Sequence, residues 1–193
     1  MDKRILRLEI AGSVFVIIMS VLLQNLYTIS GGALIGIMFG SANSSIWEIT
    51  KTILISYIIW SIIEIMCAGV QFHRFVVARV ISLYFLGAFY IILCLIFFAF
   101  DSGSYSMPEF VAAIASVISA SFLCCRLMRS RFRLEKLFAP AVFMMLLFIA
   151  LYCSFTPFPP HNLIFMDRVT GLYGIIPDYI DEGAIVLDTL YNI

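Results

Sequence analysis

The chain has 193 residues, of which 63% are hydrophobic and 12% charged, and its 12 basic and 12 acidic side chains cancel to a formal net charge of zero. A soluble domain carries about 25% charged residues, and one of this size cannot hide so much apolar surface while its exterior faces water. The charge balance removes the electrostatic case for a nucleic-acid partner, and what remains is an integral membrane protein.

Five segments are long and apolar enough to span the roughly 30 Å hydrocarbon layer, which takes about 20 residues of helix. The first runs from about Leu8 to Tyr27 and closes on the polar pair Gln24-Asn25. Its length and the lack of a small-residue cleavage site favour a retained signal-anchor over a cleaved signal peptide. Next comes Ser30 to Ala42, where Gly31, Gly32, Gly36 and Gly40 sit among apolar residues. This stretch is too short to cross comfortably, so it reads as a re-entrant or interfacial segment, with a very short sixth span as the alternative. The second span covers Ile46 to Ala68, the third Val80 to Phe100, the fourth about Pro108 to Leu127 and the fifth about Leu137 to Phe155. Apolar residues run continuously instead of alternating, which indicates helices and not barrel strands. The fold class is therefore all-α, with a transmembrane bundle over residues 1–156 and an extracytoplasmic tail over 157–193.

The basic residues predict the orientation. Lys3, Arg4 and Arg7 precede the first span, Arg74 and Arg79 fall between the second and third, and Arg126, Arg129, Arg131, Arg133 and Lys136 fall between the fourth and fifth. With five spans and the N-terminus inside, all of these are cytoplasmic, and only Lys51 and Arg168 lie outside. That is the arrangement the positive-inside rule favours. The expected location is the bacterial cytoplasmic membrane, N-in and C-out. Asp2, Glu9 and Glu135 fall with the inner cations. The outer side is acidic, and the tail ends in Tyr179, Ile180, Val186, Leu187, Leu190 and Tyr191 at helical spacing. With Asp178, Asp181, Glu182 and Asp188 mostly opposite, this predicts an amphipathic C-terminal helix.

Cys67, Cys94, Cys124, Cys125 and Cys153 lie in or at the ends of apolar runs. They form no Cys-x-x-Cys or Cys/His pattern, so neither a metal nor any other cofactor is expected. Ala112, Ala113, Ala115, Ser116, Ser119, Ala120 and Ser121 make the fourth span rich in small residues. That suits close helix packing, within the chain or with a membrane-protein partner, better than a pore.

Asn43-Ser44-Ser45-Ile46-Trp47-Glu48-Ile49-Thr50-Lys51 opens the second span. Ser45 and Glu48 have the spacing of a capping box, Glu48 suits the positive end of the helix dipole, and Trp47 suits an interfacial aromatic belt. Lys51 is three residues from Glu48 and can pair with it. The functional reading starts from depth: a charge one turn into the membrane usually faces the bundle interior or a cavity. A Glu/Lys pair backed by Asn43 and Ser44 can bind a small polar molecule or a lipid head group, and in principle can act as acid and base. Glu64, the other intramembrane acid, is a functional candidate by default. Pairing with Arg74, Arg79 or a neighbouring hydroxyl competes there with a proton-coupling role. In the tail, Pro159-Pro160-His161 stiffens the exit from the fifth span, and Asp167-Arg168-Val169-Thr170-Gly171 reads as a turn. His161, Asp167 and Tyr173 are candidates to join Glu48 and Lys51 in one outer site. Glu48, His161 and Asp167 are of metal-ligand type, without diagnostic spacing. His73 reads as a solvated loop residue.

Together the two stretches resemble a family of small, uncharacterised integral membrane proteins found mainly in clostridia and related Firmicutes. Its motifs read Asn-Glu-Ser-x-Trp-Glu-His-x-Lys and Pro-Pro-His-x-Pro-Leu-Phe-x-Asp-Pro-x-Thr-Gly-x-Tyr-Gly. Asn43, Ser45, Trp47, Glu48 and Lys51 match the first; Pro159, Pro160, His161, Phe165, Asp167, Thr170, Gly171, Tyr173 and Gly174 match the second. Ser44 stands where the family has Glu, Ile49 where it has His and Arg168 where it has Pro. The lost Glu and His weaken an acid–base or metal role, and the resemblance implies candidate residues without a reaction. Three functions are left standing: a binding or transport component, a membrane enzyme on a lipid-linked substrate with Glu48 or His161 as base, and a structural partner protein.

Overall fold

Where apolar residues run on without a break, a helix satisfies every backbone group within its own segment, and this decides most of the architecture. The computed structural model describes residues 3–68, 71–100 and 106–176. Its helices are α1 (Lys3–Gln24), α2 (Leu26–Ile29), α3 (Leu34–Phe39), α4 (Ile46–Ala68), α5 (Phe72–Phe100), α6 (Ser106–Arg129) and α7 (Phe138–Phe155), with a 3₁₀ turn over Leu134–Leu137 ahead of α7. Five of these segments are long and apolar enough to cross a membrane. Among the described residues there is no strand, only an isolated bridge between Met166 and Tyr173. Ile10, Val14 and Ile18 of α1 and Ile118 and Phe122 of α6 are all exposed, a surface suited to hydrocarbon and not to water. The amphipathic helix expected near the C-terminus lies outside the described residues.

The helices differ from the expected spans mainly in α5, which begins at Phe72 and not at Val80. Arg74 and Arg79 are therefore helical and not loop residues. Arg79 enters the helix because its guanidinium is paired inside the protein, as described below. Likewise α6 carries Arg126 and Arg129 in its last turn, where cations suit the negative end of the helix dipole. The Ser30–Ala42 stretch holds only α3, whose six residues are too few to span.

By their internal contacts the residues form two units, Met1–Ser20 with Ile53–Ala150 and Val21–Thr52 with Leu151–Ile193. In the first, α6 packs on α5. Ala112, Ser116, Ala120 and Cys124, each four residues apart, form a fully buried stripe of small side chains. Such a stripe lets helix backbones approach closely, so these four side chains serve packing inside the unit. A second cluster joins Val77 and Val80 of α5 to Leu134 and Ala141.

In the second unit, Gly31 and Gly32 take φ of +60° and +75° between α2 and α3, a region other residues enter at a cost. Gly40 is constrained differently. Its φ is −91°, but a Cβ there would meet the Gly36 carbonyl oxygen at 2.6 Å and the Tyr27 amide nitrogen at 2.9 Å. Backbone cannot step aside as a side chain can. Gly40→Ala should therefore lower stability by about 1–3 kcal/mol, the usual range for overpacking. A thermal melt in mild detergent that matches wild type would rule out the close approach.

Candidate functional site

The second unit gathers most of the predicted outer residues around the first turn of α4. Lys51 is 1% exposed. Its Nζ donates to Glu48 Oε2 at 2.7 Å, to Thr156 Oγ1 at 3.0 Å and to the Ile37 carbonyl at 2.9 Å, which accounts for all three ammonium hydrogens. Glu48 is buried as well: Oε2 also accepts from the Ala42 amide at 3.0 Å, and Thr156 Oγ1 donates to Oε1 at 2.9 Å. Glu48, Lys51 and Thr156 thus close a ring of charge-assisted bonds in which each member bonds the other two. Sequence spacing predicted the Glu48–Lys51 pair; Thr156, at the far end of α7, carries no sequence signal.

The capping box forms only in part. Ser45 Oγ accepts from the Glu48 amide at 3.3 Å, but the Ser45 amide donates to Asn43 Oδ1 at 2.9 Å and not to Glu48. The Glu48 carboxylate is drawn off by Lys51 and Thr156, and Asn43 takes its place as the cap. Asn43 Nδ2 in turn donates to the Gly174 carbonyl at 2.8 Å, tying the α4 start to the tail.

Asp167 makes a second tie. It is fully buried; Oδ1 accepts from the Ser44 amide at 2.7 Å, and Oδ2 accepts from the amide and the hydroxyl of Thr170 at 2.8 and 2.6 Å. The predicted Asp-x-x-Thr-Gly turn is closed by its own first residue, with Gly171 at φ +72°. Trp47 adds an apolar tie: its ring stacks on Tyr152 at 4.3 Å and lies 4.6 Å from Phe165, while its amide donates to the Ile164 carbonyl at 3.0 Å.

His161 does not join this centre. It is exposed and stacks on Tyr173 with centroids 4.7 Å apart. Among the described residues no group of three or more His, Cys, Asp or Glu is placed to hold a metal, so Glu48, His161 and Asp167 do not come together as ligands. What remains open beside the frame is a cavity of about 190 Å³. Asn43, Ser44 and Ser41 line it from the loop before α4, and Gln24, Asn25, Tyr27 and Thr28 line it from α1's end through α2.

A second polar centre lies in the first unit, at residues that sequence reasoning placed only in part. Arg79 donates through Nη2 to Glu9 Oε1 at 2.9 Å and also to Glu64 Oε2. Glu9, Glu64 and Arg79 are 5%, 1% and 5% exposed. The guanidinium carbon sits 4.9 Å from the Tyr57 ring centre and 5.1 Å from that of Phe75, and such a cation–π placement helps hold a cation out of water. Glu64 thus pairs with Arg79, whereas Arg74 pairs with Glu135 at 3.6 Å. The sequence sets Glu9 with the inner cations, of which Arg79 is one, but does not single it out as a partner of Arg79. The usable signal was that it falls inside the first apolar run, where an ionisable side chain needs a partner. His73 is exposed, with its ring edge against Phe138 at 4.5 Å.

A family model described as a family of unknown function (DUF6512) matches residues 3–175. No curated protein and no solved structure matches the chain.

Proposed function

The chain belongs to this family of unknown function, and from that premise we propose that it is a multi-pass protein of the bacterial cytoplasmic membrane that binds a small polar molecule or lipid head group without transforming it, as a transport component or accessory subunit. The basic residues before α1 and between α6 and α7 support an inside N-terminus, which puts the start of α4 on the outer face.

One observation carries the binding reading: the polar cavity of about 190 Å³ beside Asn43 and Ser44. Drug-sized ligands occupy pockets of about 300–1,000 Å³, so a compact polar group fits and a large substrate does not. Glu48, Lys51 and Asp167 are not among its lining residues; Glu48 and Asp167 hold the Ala42 and Ser44 amides of the loop that lines it. Their bonds also favour binding over catalysis. Both Glu48 oxygens already accept hydrogen bonds, including a short one from Lys51, so the carboxylate is engaged within the protein and not turned to a substrate. His161 points its ring at Tyr173, not at a reacting centre.

The test uses the full chain in mild detergent with glycerol 3-phosphate, phosphoethanolamine and phosphocholine as probes. At about one hundred times its dissociation constant a ligand adds about 2.7 kcal/mol of stability, so at least one probe should raise the melting temperature by several degrees. Asn25→Leu and Thr28→Leu alter exposed lining residues outside the ion-pair ring and should abolish the shift. Absence of any shift in wild type, or an equal shift in both variants, refutes the cavity as the site.

A further inference from the structure

The Glu9–Glu64–Arg79 centre of the first unit does not balance in charge. A guanidinium stays protonated in proteins, so Arg79 brings one positive charge against two carboxyl groups, and all three side chains belong to residues at most 5% exposed. Both carboxyls bond the same nitrogen, Nη2, while Nη1 and Nε make no bond to either. Nothing else facing Glu9 makes up the difference. From α4 it meets Glu64 and Tyr57, and from α6 Cys124 and Cys125; a phenol and two thiols add no positive charge. Arg74 of α5 is paired with Glu135. Arg7, Arg126 and Arg129 are exposed, where water and salt screen them. A buried carboxylate with no cation of its own is so costly that the group takes a proton instead.

We propose that this centre is a proton-binding site, which holds one exchangeable proton on Glu9 and trades it with the groove between α1 and α6 through the Ser121 hydroxyl. Glu9 is the bearer because it alone of the two acids lines that groove, a cavity of about 680 Å³. Its Oε1 accepts from Arg79, which leaves Oε2 for the proton. Oε2 itself is sealed from the groove, so exchange needs a relay. Ser121 lies within hydrogen-bonding reach of the Glu9 carboxyl and also lines the groove.

Ser121 Oγ accepts from Ser13 Oγ at 3.1 Å, and a hydroxyl oxygen has a second lone pair and one proton of its own. A hydronium ion in the groove gives a proton to that lone pair while the serine's own proton moves to Glu9 Oε2. The hydronium becomes water, the serine ends with one O–H bond as it began, and the carboxyl gains one. The new Oε2–H then donates back to Ser121. A sodium ion does not fit in the proton's place, since Glu9 Oε2 and Ser121 Oγ are too few oxygens to replace its hydration shell.

Infrared spectroscopy of the full chain in dodecyl maltoside, a detergent without carbonyl groups, tests the assignment. At about pH 7 ordinary carboxyls, with pKa values of about 4, are ionised. Wild type should nevertheless show the C=O stretch of a protonated carboxyl, and isotopic labelling of glutamate should shift it. Glu9→Gln should abolish the band. Glu64→Gln should abolish it too, because Glu9 and Arg79 then balance without a proton, whereas burial of Glu9 alone would leave it in place. Each of these variants keeps one carboxylate paired with Arg79, and the labelled wild type carries the first result without any substitution. In heavy water the band should shift severalfold more slowly in Ser121→Ala than in wild type. No glutamate carboxyl band in wild type overturns the proposal. So does a band that persists in Glu64→Gln, one that vanishes when sodium replaces potassium, or exchange in Ser121→Ala as fast as in wild type.

Discussion

Arg79→Met should destabilise the protein by about 3–5 kcal/mol, the cost of breaking a buried ion pair by removing one partner. The side chain is nearly isosteric in its stem, so little packing is lost. What is lost is a cation bonded to two buried carboxylates, Glu9 and Glu64, and a carboxylate without a partner in low dielectric is among the most unfavourable groups a fold can contain. The same logic predicts rescue. Arg79→Met with Glu9→Gln and Glu64→Gln removes all three formal charges, and replacing a whole buried network is often neutral; the triple variant should recover most of the loss. Arg74→Met is the control. Its partner Glu135 is 46% exposed and 3.6 Å away, and its guanidinium also donates to the Leu127 and Ser130 carbonyls, so that change should cost about 1–2 kcal/mol, still below the loss at Arg79. Melting and denaturant titration in detergent measure all three. If Arg79→Met melts with wild type, the triad is not holding α1, α4 and α5 together.

These charges also show what a sequence can and cannot disclose about this fold. The five spans are legible because a run of some 20 apolar residues has one stable form in a membrane. Local pairs are legible too: Glu48 and Lys51 face each other because three residues make nearly one helical turn, and Asp167 closes a turn whose chemistry is written in Thr170 and Gly171. The start of α5 was not legible. An arginine between two apolar runs reads as a loop charge unless its partners are known, and Glu9 lies 70 positions from Arg79. Thr156 is invisible for the same reason, being 105 residues from Lys51 and chemically ordinary. His161 is the opposite case: a shared side of the membrane says nothing of contact, and its ring stacks on Tyr173. The polar cavity emerges only once α2 and the loop before α4 are placed, since no residue in it is unusual by itself.

Lys51→Met separates the structural and ligand-contact roles of the motif at the start of α4. As a structural ion, Lys51 should be worth about 3 kcal/mol, the lower end of the range for breaking a buried pair. The lower end applies because Glu48 keeps two other donors, the Ala42 amide and the Thr156 hydroxyl, and lies in the first turn of α4, where the helix dipole favours an anion. Lys51→Met/Glu48→Gln should then be more stable than Lys51→Met alone, since the residual anion is gone. The gap between the cycle and the sum of its single changes measures the coupling. A ligand contact behaves otherwise: Lys51→Met would melt like wild type without ligand and lose only the shift produced by a bound head group. Because every Nζ hydrogen is already used inside the protein, the first pattern is expected. The second would mean that the lysine leaves Glu48 and Thr156 when ligand enters, and the frame would itself be the binding site.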